Sequence, residues 1–509
     1  MFSRLALRLL LASQSFVYFL LTLLIVLPAL SQTAPFGAVS PGGRFVVLYR
    51  NGQLPADAAS ALSMHGVRMV ARHDRLGVSV VEGVGPASFA ALSHDSRVEA
   101  IVPDILLSAH SVAVRPLLLR TPVSDALYHS PMGWPIRGVG GFGADGTSTA
   151  SPGPWDRTKG SGVRIAILDS GVDALHPDIA PNLSLNLSEI DRKAMPSTCD
   201  DGGPVDQQGH GTWTASLAAG ALGINTGLVA GVAPSASILN IKVLQRMPGA
   251  KTAADPTGCS SGQASGLLSW VLQGIEDAIL NRADIISLSL GSLVDITTGT
   301  GAGTQAIFNR ATGAAWNAGI VLVAAAGNDG LNLNGSRYIE LPAQSRDVLA
   351  VVASTNPACA QNLRSGAGCT AGPVVVGYYS NHGAVLNALA APGGSYPETG
   401  GSVLTATNGM ISGWIAGACS AGRPSTLSGP PDASHSMGCF SLGHAGYVQA
   451  MGTSASAPLV AGAAALLRAA HPTWSPAAIV AALRSSANIS TNLAIPQVSV
   501  ATLLTPKSR

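Results

Sequence analysis

Val163-Arg-Ile-Ala-Ile-Leu-Asp169-Ser-Gly-Val-Asp173 is the segment that indicates the fold class most clearly. Its apolar run is almost continuous and stops at an Asp-Ser-Gly turn, as is typical of a strand buried on both faces. Similar runs start at Ala236, Ile285, Ile320 and Val348, and helical segments such as 263–281, 304–317 and 454–470 alternate with them. This alternation predicts an α/β domain in which three αβα layers place a parallel central sheet between helices.

The composition excludes two broad classes of protein. The 509 residues are 47% hydrophobic and 11% charged, with a formal net charge of +2. The hydrophobic fraction is large enough to fill a sizeable core, which argues against disorder over the whole chain. Nucleic acid is not an expected partner, because no basic block or strong positive excess is present.

The N-terminus has the pattern of an export signal. Arg4 and Arg8 precede an apolar stretch at 16–30, and small residues at 29–31 provide a cleavage site. Residues 1–31 are therefore predicted to be a signal peptide, which makes the protein secreted. The alternative is an uncleaved membrane anchor. The apolar stretch is shorter than the roughly 20 residues that span a bilayer, so an anchor requires that the apolar residues at 9–12 extend it.

Export to an oxidising compartment suggests that the six cysteines form three disulfides. Sequence alone leaves 15 pairings open. Pairing neighbours in chain order gives Cys199–Cys259, Cys359–Cys369 and Cys419–Cys439. A zinc site is the competing interpretation, but no Cys-x-x-Cys pair supports it.

Residues 44–104 have the pattern of a small α+β domain ahead of the larger one. Strands are predicted at 44–50, 76–82 and 98–102, with helical segments between them. Residues 105–155 are rich in Gly, Pro and Ser and lack periodicity, so they are predicted to be connecting chain.

Three segments place catalytic residue types at the ends of predicted elements. Asp169 follows a buried strand, whereas His210 and Ser454 each begin a helix. A serine hydroxyl becomes a good nucleophile when a neighbouring His takes its proton, and a buried Asp orients that His. Each residue alone also has a structural explanation, as a turn Asp, a packed His or an N-cap Ser. Their combination favours a nucleophilic triad.

Asn328 follows another predicted strand, in Ala324-Ala-Ala-Gly-Asn328-Asp-Gly. Its amide can donate to an oxyanion, and such a donor contributes about 3–4 kcal/mol to transition-state stabilisation. The helix that begins at Ser454 adds backbone N–H groups and a positive dipole end. The neighbouring Asp329 fits either a pocket for a basic substrate residue or an ordinary turn.

The ordered segments AILDSGVD, GHGTWTA, SLSLGS, AAAGNDG, YYSNHG, AAPG and GTSASAPLVAG resemble those of the subtilisin-like serine proteases, the subtilases. The resemblance implies a catalytic domain at 150–495 and endopeptidase activity through an acyl-enzyme, with no cofactor required for the chemistry. It implies Asp169, His210 and Ser454 as the triad and Asn328 as the oxyanion donor. It also implies that Ser289, Leu290 and Gly291 pair with an extended polypeptide substrate.

By the same resemblance, residues 44–110 look like the inhibitor-type propeptide of the family, which would act as an intramolecular inhibitor of a monomeric enzyme. A structural calcium ion is a further implication, with Asp178, Asn225 and the carbonyls of 223–229 as candidate ligands. Two departures from the family pattern are Trp213, where His is common, and Ala455, where Met is common.

Two other functions remain open from the sequence. Gly258-Cys-Ser260-Ser-Gly262 matches the Gly-x-Ser-x-Gly pattern of esterases, although no strand precedes it as that chemistry requires. A catalytically silent subtilase-like binding protein is the other alternative, and the intact triad residues argue against it.

Overall fold

The computed structural model describes residues 43–109, 113–117, 125–143, 153–253, 255–355, 374–394, 413–422, 437, 439, 443–487 and 495–505. The predicted signal peptide at 1–31 and the predicted pair Cys359–Cys369 lie outside these residues. Within them, no helix is both long and apolar enough to cross a bilayer.

The strands of the described residues are numbered in chain order. They are β1 Phe45–Tyr49, β2 Arg68–His73, β3 Val78–Glu82, β4 Val98–Pro103, β5 Leu106–Ala109, β6 Ala113–Leu117, β7 Arg164–Asp169, β8 Leu183–Ser188, β9 Ser237–Lys242, β10 Gln245–Arg246, β11 Ala264–Leu267, β12 Ile285–Leu288, β13 Leu290–Asp295, β14 Val321–Ala325, β15 Tyr338–Leu341, β16 Val348–Thr355, β17 Val375–Val376, β18 Leu389–Pro392, β19 Ile415–Cys419 and β20 Gly446–Met451.

The α-helices are numbered in the same way. They are α1 Ala58–Met64, α2 Pro86–His94, α3 Ala126–His129, α4 Trp134–Gly138, α5 His210–Ala219, α6 Leu268–Leu280, α7 Gly299–Asn317, α8 Thr453–Ala470, α9 Pro476–Ser485 and α10 Ala501–Leu504.

A parallel sheet forms the centre of the larger domain. Its strands run in the order β18-β16-β14-β12-β7-β9-β8, with every neighbouring pair parallel, and the short β17 pairs antiparallel with the end of β16. Ile165 and Ile167 pack into the core that contains α5 and α8, whereas Ala166 and Leu168 pack into the core that contains α6 and α7. The predicted three-layer α/β architecture is confirmed.

The small domain consists of an antiparallel sheet in the order β2-β3-β1-β4, together with α1 and α2. Val47 and Tyr49 on one face of the sheet pack against α1 and α2 in a separate core. Val46 and Leu48 on the other face join the core that contains α6 and α7. Because strand residues alternate between faces, one sheet is able to serve both cores.

Two local predictions need correction. The helix predicted at 263–281 begins only at Leu268, because 264–267 is drawn into strand β11, which pairs with β5. The stretch 105–155, predicted to be connecting chain, contains β5 and β6, and β5 lies between β11 and β13. In both places hydrogen bonding to a distant strand determines the conformation, and local periodicity carries no trace of such a partner.

Cys199 pairs with Cys259 and Cys419 pairs with Cys439, as predicted. The first disulfide joins the segment before α5 to the turn before β11, and the second joins the end of β19 to the segment before β20. Both crosslinks therefore fix loops on the domain that carries the predicted triad.

Candidate active site

The carboxyl edge of the parallel sheet brings two of the predicted residues into contact. Asp169 is the last residue of β7, and His210 is the first residue of α5. Nδ1 of His210 lies 2.7 Å from Oδ1 of Asp169, across 41 residues of sequence. Both side chains are buried. A carboxylate at this distance holds the proton on Nδ1 and leaves Nε2 as the basic nitrogen.

Further donors fix the Asp169 carboxylate. The backbone N–H of Ser170 donates to Oδ1 at 2.7 Å, and the hydroxyl of Thr214 donates to Oδ2 at 3.2 Å. Thr214 lies one helical turn after His210, so α5 supplies both the imidazole and a support for its partner. Among the described residues, the buried Nε2 of His210 has no hydrogen-bond partner.

Asp206 holds the strand that carries Asp169 against the helix that carries His210. Its fully buried carboxylate accepts five hydrogen bonds, from Ser170 Oγ and from groups of residues 208, 209 and 212. Ser170 Oγ in turn accepts from the N–H of Gly211 at 2.9 Å. Burial raises the pKa of Asp206, and the donors from Thr212 and Gly209 act in the opposite direction. Since Gly209 is the N-cap of α5 and Thr212 lies in its first turn, the Asp206 carboxylate also satisfies N–H groups at the start of this helix.

Ser454 is the second residue of α8 and is fully buried. Its hydroxyl donates to the carbonyl of Ser289 at 3.3 Å, and the Ser289 hydroxyl donates to the carbonyl of Ser454 at 3.0 Å. These reciprocal bonds join the start of α8 to the segment between β12 and β13. The hydroxyl therefore lies at a helix N-terminus, where developing negative charge is favoured.

Asn328 is linked to the same turn. Its Oδ1 accepts hydrogen bonds at 2.9 Å from both the N–H and the hydroxyl of Thr453, the residue before Ser454. With the carbonyl oxygen engaged in this way, Nδ2 is the end of the amide that can donate elsewhere. Asn328 and Ser454 thus belong to one hydrogen-bonded assembly.

The predicted cleft residues Leu290 and Gly291 are paired with an extended strand of the same chain. In β5, Ala109 lies opposite Leu290 and Ser108 lies opposite Gly291, in antiparallel register. On its other side β5 pairs antiparallel with β11. Leu107 of β5 is fully buried. The cleft can therefore hold a peptide as the middle strand of a sheet.

Comparisons with known proteins agree with this geometry. Residues 160–501 match the model of the subtilase family. The chain belongs to the subtilase family. It is a serine-type endopeptidase by this membership.

Two relatives illustrate the similarity in sequence. This subtilase is 34% identical to thermitase of Thermoactinomyces vulgaris over 271 residues. The aligned residues cover 52% of this chain and 77% of thermitase. It is 31% identical to subtilisin E of Bacillus subtilis over 328 residues. The aligned residues cover 64% of this chain and 61% of subtilisin E.

The solved structures share the fold. The epidermin leader peptide processing serine protease of Staphylococcus aureus matches with a TM-score of 0.59 at 19% identity, over 88% of this chain and 93% of its own. Fervidolysin of Fervidobacterium pennivorans matches with the same TM-score and identity, over 91% of this chain and 61% of its own.

The esterase pattern around Ser260 lies in a different environment. Ser260 is in a single 3-10 turn, and its hydroxyl donates to Asp255 at 2.6 Å. A carboxylate in this position stabilises the turn and gives the hydroxyl no imidazole base. The surroundings of Ser260 therefore do not support its use as a nucleophile.

Asp178 and Asn225, the candidate calcium ligands of this subtilase, lie in different surroundings. Asp178 is buried, and its Oδ2 accepts a hydrogen bond from Tyr447 Oη at 2.9 Å. Burial raises the pKa of Asp178 to about 8, and hydrogen bonds from the Tyr447 hydroxyl and the N–H of Val229 act in the opposite direction. Asn225 is exposed. Among the described residues, no group of three or more His, Cys, Asp or Glu side chains could hold a metal ion.

Sequence reasoning missed three side chains of this region: Thr214, Asp206 and Glu340. Asp206 lies three residues before Gly209, the N-cap of α5, and an acid just ahead of a predicted helix start was the available signal. Glu340 is the one acid in the strand Tyr338–Leu341 and is fully buried. A lone carboxylate in an apolar strand is itself a signal of a special role.

Proposed function

We propose that this subtilase hydrolyses peptide bonds with Ser454 as nucleophile, His210 as general base and Asp169 as the residue that orients His210. The observation that carries the proposal is the buried 2.7 Å contact between Asp169 and His210, at the sheet edge that also carries the α8 N-terminus. Asp169 keeps Nδ1 protonated, so Nε2 is available to accept a proton.

The reaction follows from these roles. His210 removes the proton of the Ser454 hydroxyl as Oγ attacks the substrate carbonyl carbon, and the carbonyl π electrons move to oxygen. Asn328 Nδ2 and the backbone N–H of Ser454 donate to the resulting oxyanion. His210 then gives its proton to the leaving amine, and an acyl-enzyme remains. A water molecule repeats the sequence and releases the acid.

Substrate polypeptides bind, in this proposal, as an added strand along Ser289, Leu290 and Gly291. The pairing of Ala109 and Ser108 with Leu290 and Gly291 supports this mode, because backbone hydrogen bonds accept many side-chain sequences. A substrate with the same register and one further residue would place that residue opposite Ser289, next to Ser454.

Residues 44–110 act as the intramolecular inhibitor of this enzyme. Three contacts between this segment and the larger domain support the assignment: β5 lies in the cleft, Asp104 accepts from Ser269 N at 2.8 Å at the start of α6, and Arg310 pairs with Glu99 at 2.9 Å. While β5 occupies the cleft, substrate is excluded, so removal of the segment activates the enzyme.

The protein functions, we propose, as a secreted monomer after removal of residues 1–31. The two disulfides support an oxidising compartment. The alternative of a membrane-anchored protease predicts that the N-terminal segment is retained. N-terminal sequencing of the mature protein distinguishes the two, and also reports whether 44–110 has been removed.

A fluorophosphonate probe tests the catalytic assignment. The mature protein should be labelled at Ser454 and should cleave peptides, whereas Ser454→Ala should lose both properties. Ser260→Ala is the matched control and should retain both. A folded mature protein that is not labelled at Ser454 would contradict the proposal and favour the silent binding protein.

A further inference from the structure

Glu340 lies on the strand beside the cleft. It is the third residue of β15, and β15 pairs antiparallel with β13, so that Leu293 lies opposite Glu340. β13 begins at Leu290, where the cleft pairs with an extended peptide. One continuous strand therefore connects the peptide-binding residues with Glu340. The Glu340 side chain is fully buried.

The Glu340 carboxylate also approaches the segment that carries Asn328. A methyl group built on Gly327 would lie 2.8 Å from Oε2 of Glu340. Gly327 has a φ of +93° and directly precedes Asn328. A side chain at this position would collide with the carboxylate as well as strain the backbone, so glycine permits the close approach.

These two segments form two walls that both begin at the Ser454 turn. β12 and β14 are adjacent parallel strands, with Leu288 opposite Ala324. Beyond their carboxyl ends the chain continues as Ser289 on one side and Asn328 on the other, and both are bonded to the Ser454 turn. Crevices at the carboxyl ends of parallel strands are the usual ligand sites of such sheets. Both walls lead from Ser454 to Glu340.

We propose that Glu340 makes this subtilase selective for Arg or Lys in the substrate residue whose carbonyl Ser454 attacks. The inference rests on the proposed function and specifies its substrate class. That residue lies opposite Ser289, between the two walls, and its side chain extends toward the Glu340 carboxylate. Guanidinium and ammonium groups complement a buried carboxylate by charge and by hydrogen bonding. A neutral apolar side chain offers neither, so it is discriminated against.

Asp329, the acid closest to Asn328 in sequence, does not occupy this position. It is exposed, and its Oδ2 accepts a hydrogen bond from Asn381 Nδ2 at 3.0 Å. Asn381 Oδ1 accepts in return from the N–H groups of Asp329 and Leu331. Asp329 therefore stabilises a turn, and solvent screens its charge. It provides a matched control for Glu340.

The experiment measures kcat/KM of the mature enzyme on peptides that differ only in the residue before the cleaved bond. Arg and Lys should exceed Leu by at least about 100-fold in the wild type. Glu340→Gln, which keeps the shape and removes the charge, should lower the Arg-to-Leu ratio by at least about tenfold. Asp329→Asn should leave the ratio unchanged. The ratio is measured within one preparation, so a partly folded variant does not distort it.

Two outcomes overturn the inference: a wild-type enzyme that cleaves after Leu as well as after Arg, and a Glu340→Gln variant with an unchanged ratio. Failure of the proposed function is distinct, since the mature protein would then cleave no peptide and resist fluorophosphonate at Ser454. If Glu340→Gln does not accumulate as folded protein, the inference is tested on the wild-type enzyme with a charged and an uncharged inhibitor. Benzamidine should slow fluorophosphonate labelling at concentrations at which the uncharged benzamide does not, and equal effects would overturn the inference.

Discussion

Two regions of the larger domain hold acidic side chains, one buried and one half-buried, in different electrostatic surroundings. At the sheet edge, Asp206 accepts five hydrogen bonds, whereas beside α6 Glu189 faces the carboxylate of Asp277. Burial raises the pKa of both Asp206 and Glu189. Donors oppose the shift at Asp206, but the charge of Asp277 adds to it and brings the pKa of Glu189 to about 8.

The comparison shows that the groups around a carboxylate determine whether it stays ionised and orients its neighbours or takes up a proton. Where donors are fixed in advance, as around Asp169 and Asp206, a carboxylate can orient other groups without reorganisation. Where two acids face each other, as Glu189 and Asp277 do, the raised pKa of one of them favours its protonated form and makes the site sensitive to pH. Substitutions in the two regions distinguish these situations. The largest effect, a loss of kcat, is expected at Asp169.

Asp169→Asn replaces the carboxylate that contacts Nδ1 of His210. An amide can present its NH₂ group to Nδ1, which selects the wrong tautomer of His210, so kcat should fall by about 10⁴-fold while the protein remains folded. Steady-state kinetics on a peptide substrate measure the loss. Asp201→Asn is the control, since Asp201 accepts only a turn hydrogen bond from Gly203 in the described structure and kcat should be retained. A loss of less than tenfold in Asp169→Asn would remove Asp169 from its proposed role.

Asp206→Asn replaces the carboxylate that accepts the hydrogen bonds around α5 and leaves Asp169 unchanged. The new amide NH₂ would face N–H donors of α5, so the join between Ser170 and Gly211 should loosen and the imidazole should shift. We expect kcat to fall by about 10- to 100-fold, because small displacements of catalytic groups are costly. The free energy of unfolding should fall by about 1–3 kcal/mol.

Denaturant unfolding of Asp206→Asn in a Ser454→Ala background, where autolysis is absent, gives the stability change. Kinetics in the active background give the change in kcat. If stability fell and kcat per labelled Ser454 did not, Asp206 would have a structural role only.

Glu189→Gln tests the second region, and its effect should be the smallest. In the folded protein the pKa of Glu189 is raised from its ordinary value to about 8, so the neutral form of the side chain is favoured there. Stability from this group is complete below the unfolded pKa of about 4.3 and is lost as the pH rises toward 8. The substitution removes that loss, and the melting temperature should rise by about 1–3 °C at pH 9 and stay unchanged at pH 4.

The Glu189→Gln comparison is again made in the Ser454→Ala background, by thermal unfolding at both pH values. Equal melting shifts at pH 4 and pH 9 would show that the side chain acts through packing instead of charge.

Much of this architecture was accessible from the sequence. The apolar runs that became β7, β12, β14 and β16 are local patterns, and their alternation with helices predicts a parallel sheet without reference to any contact. The contact between Asp169 and His210 was also predicted, because a serine nucleophile needs a histidine base and that histidine needs a buried acid to orient it. Cys199–Cys259 and Cys419–Cys439 followed from chain order.

The predictions that failed share one physical cause. Residues 264–267 look helical in isolation, yet they form a strand because β5 supplies hydrogen bonds from far away in the sequence. For Asp329 the sequence left a pocket acid and a turn residue open, and its hydrogen bonds with Asn381 fit the turn.

Backbone preference and hydrophobic periodicity act over a few residues, so the amino-acid pattern predicts most strands and helices of the larger domain and the residue types at their ends. Long-range packing sets how Asp206 joins Ser170 to α5, where β5 lies between β11 and β13, and how the Glu340 carboxylate approaches Gly327. Contacts of this kind join segments that are distant in the chain, so no local pattern contains them.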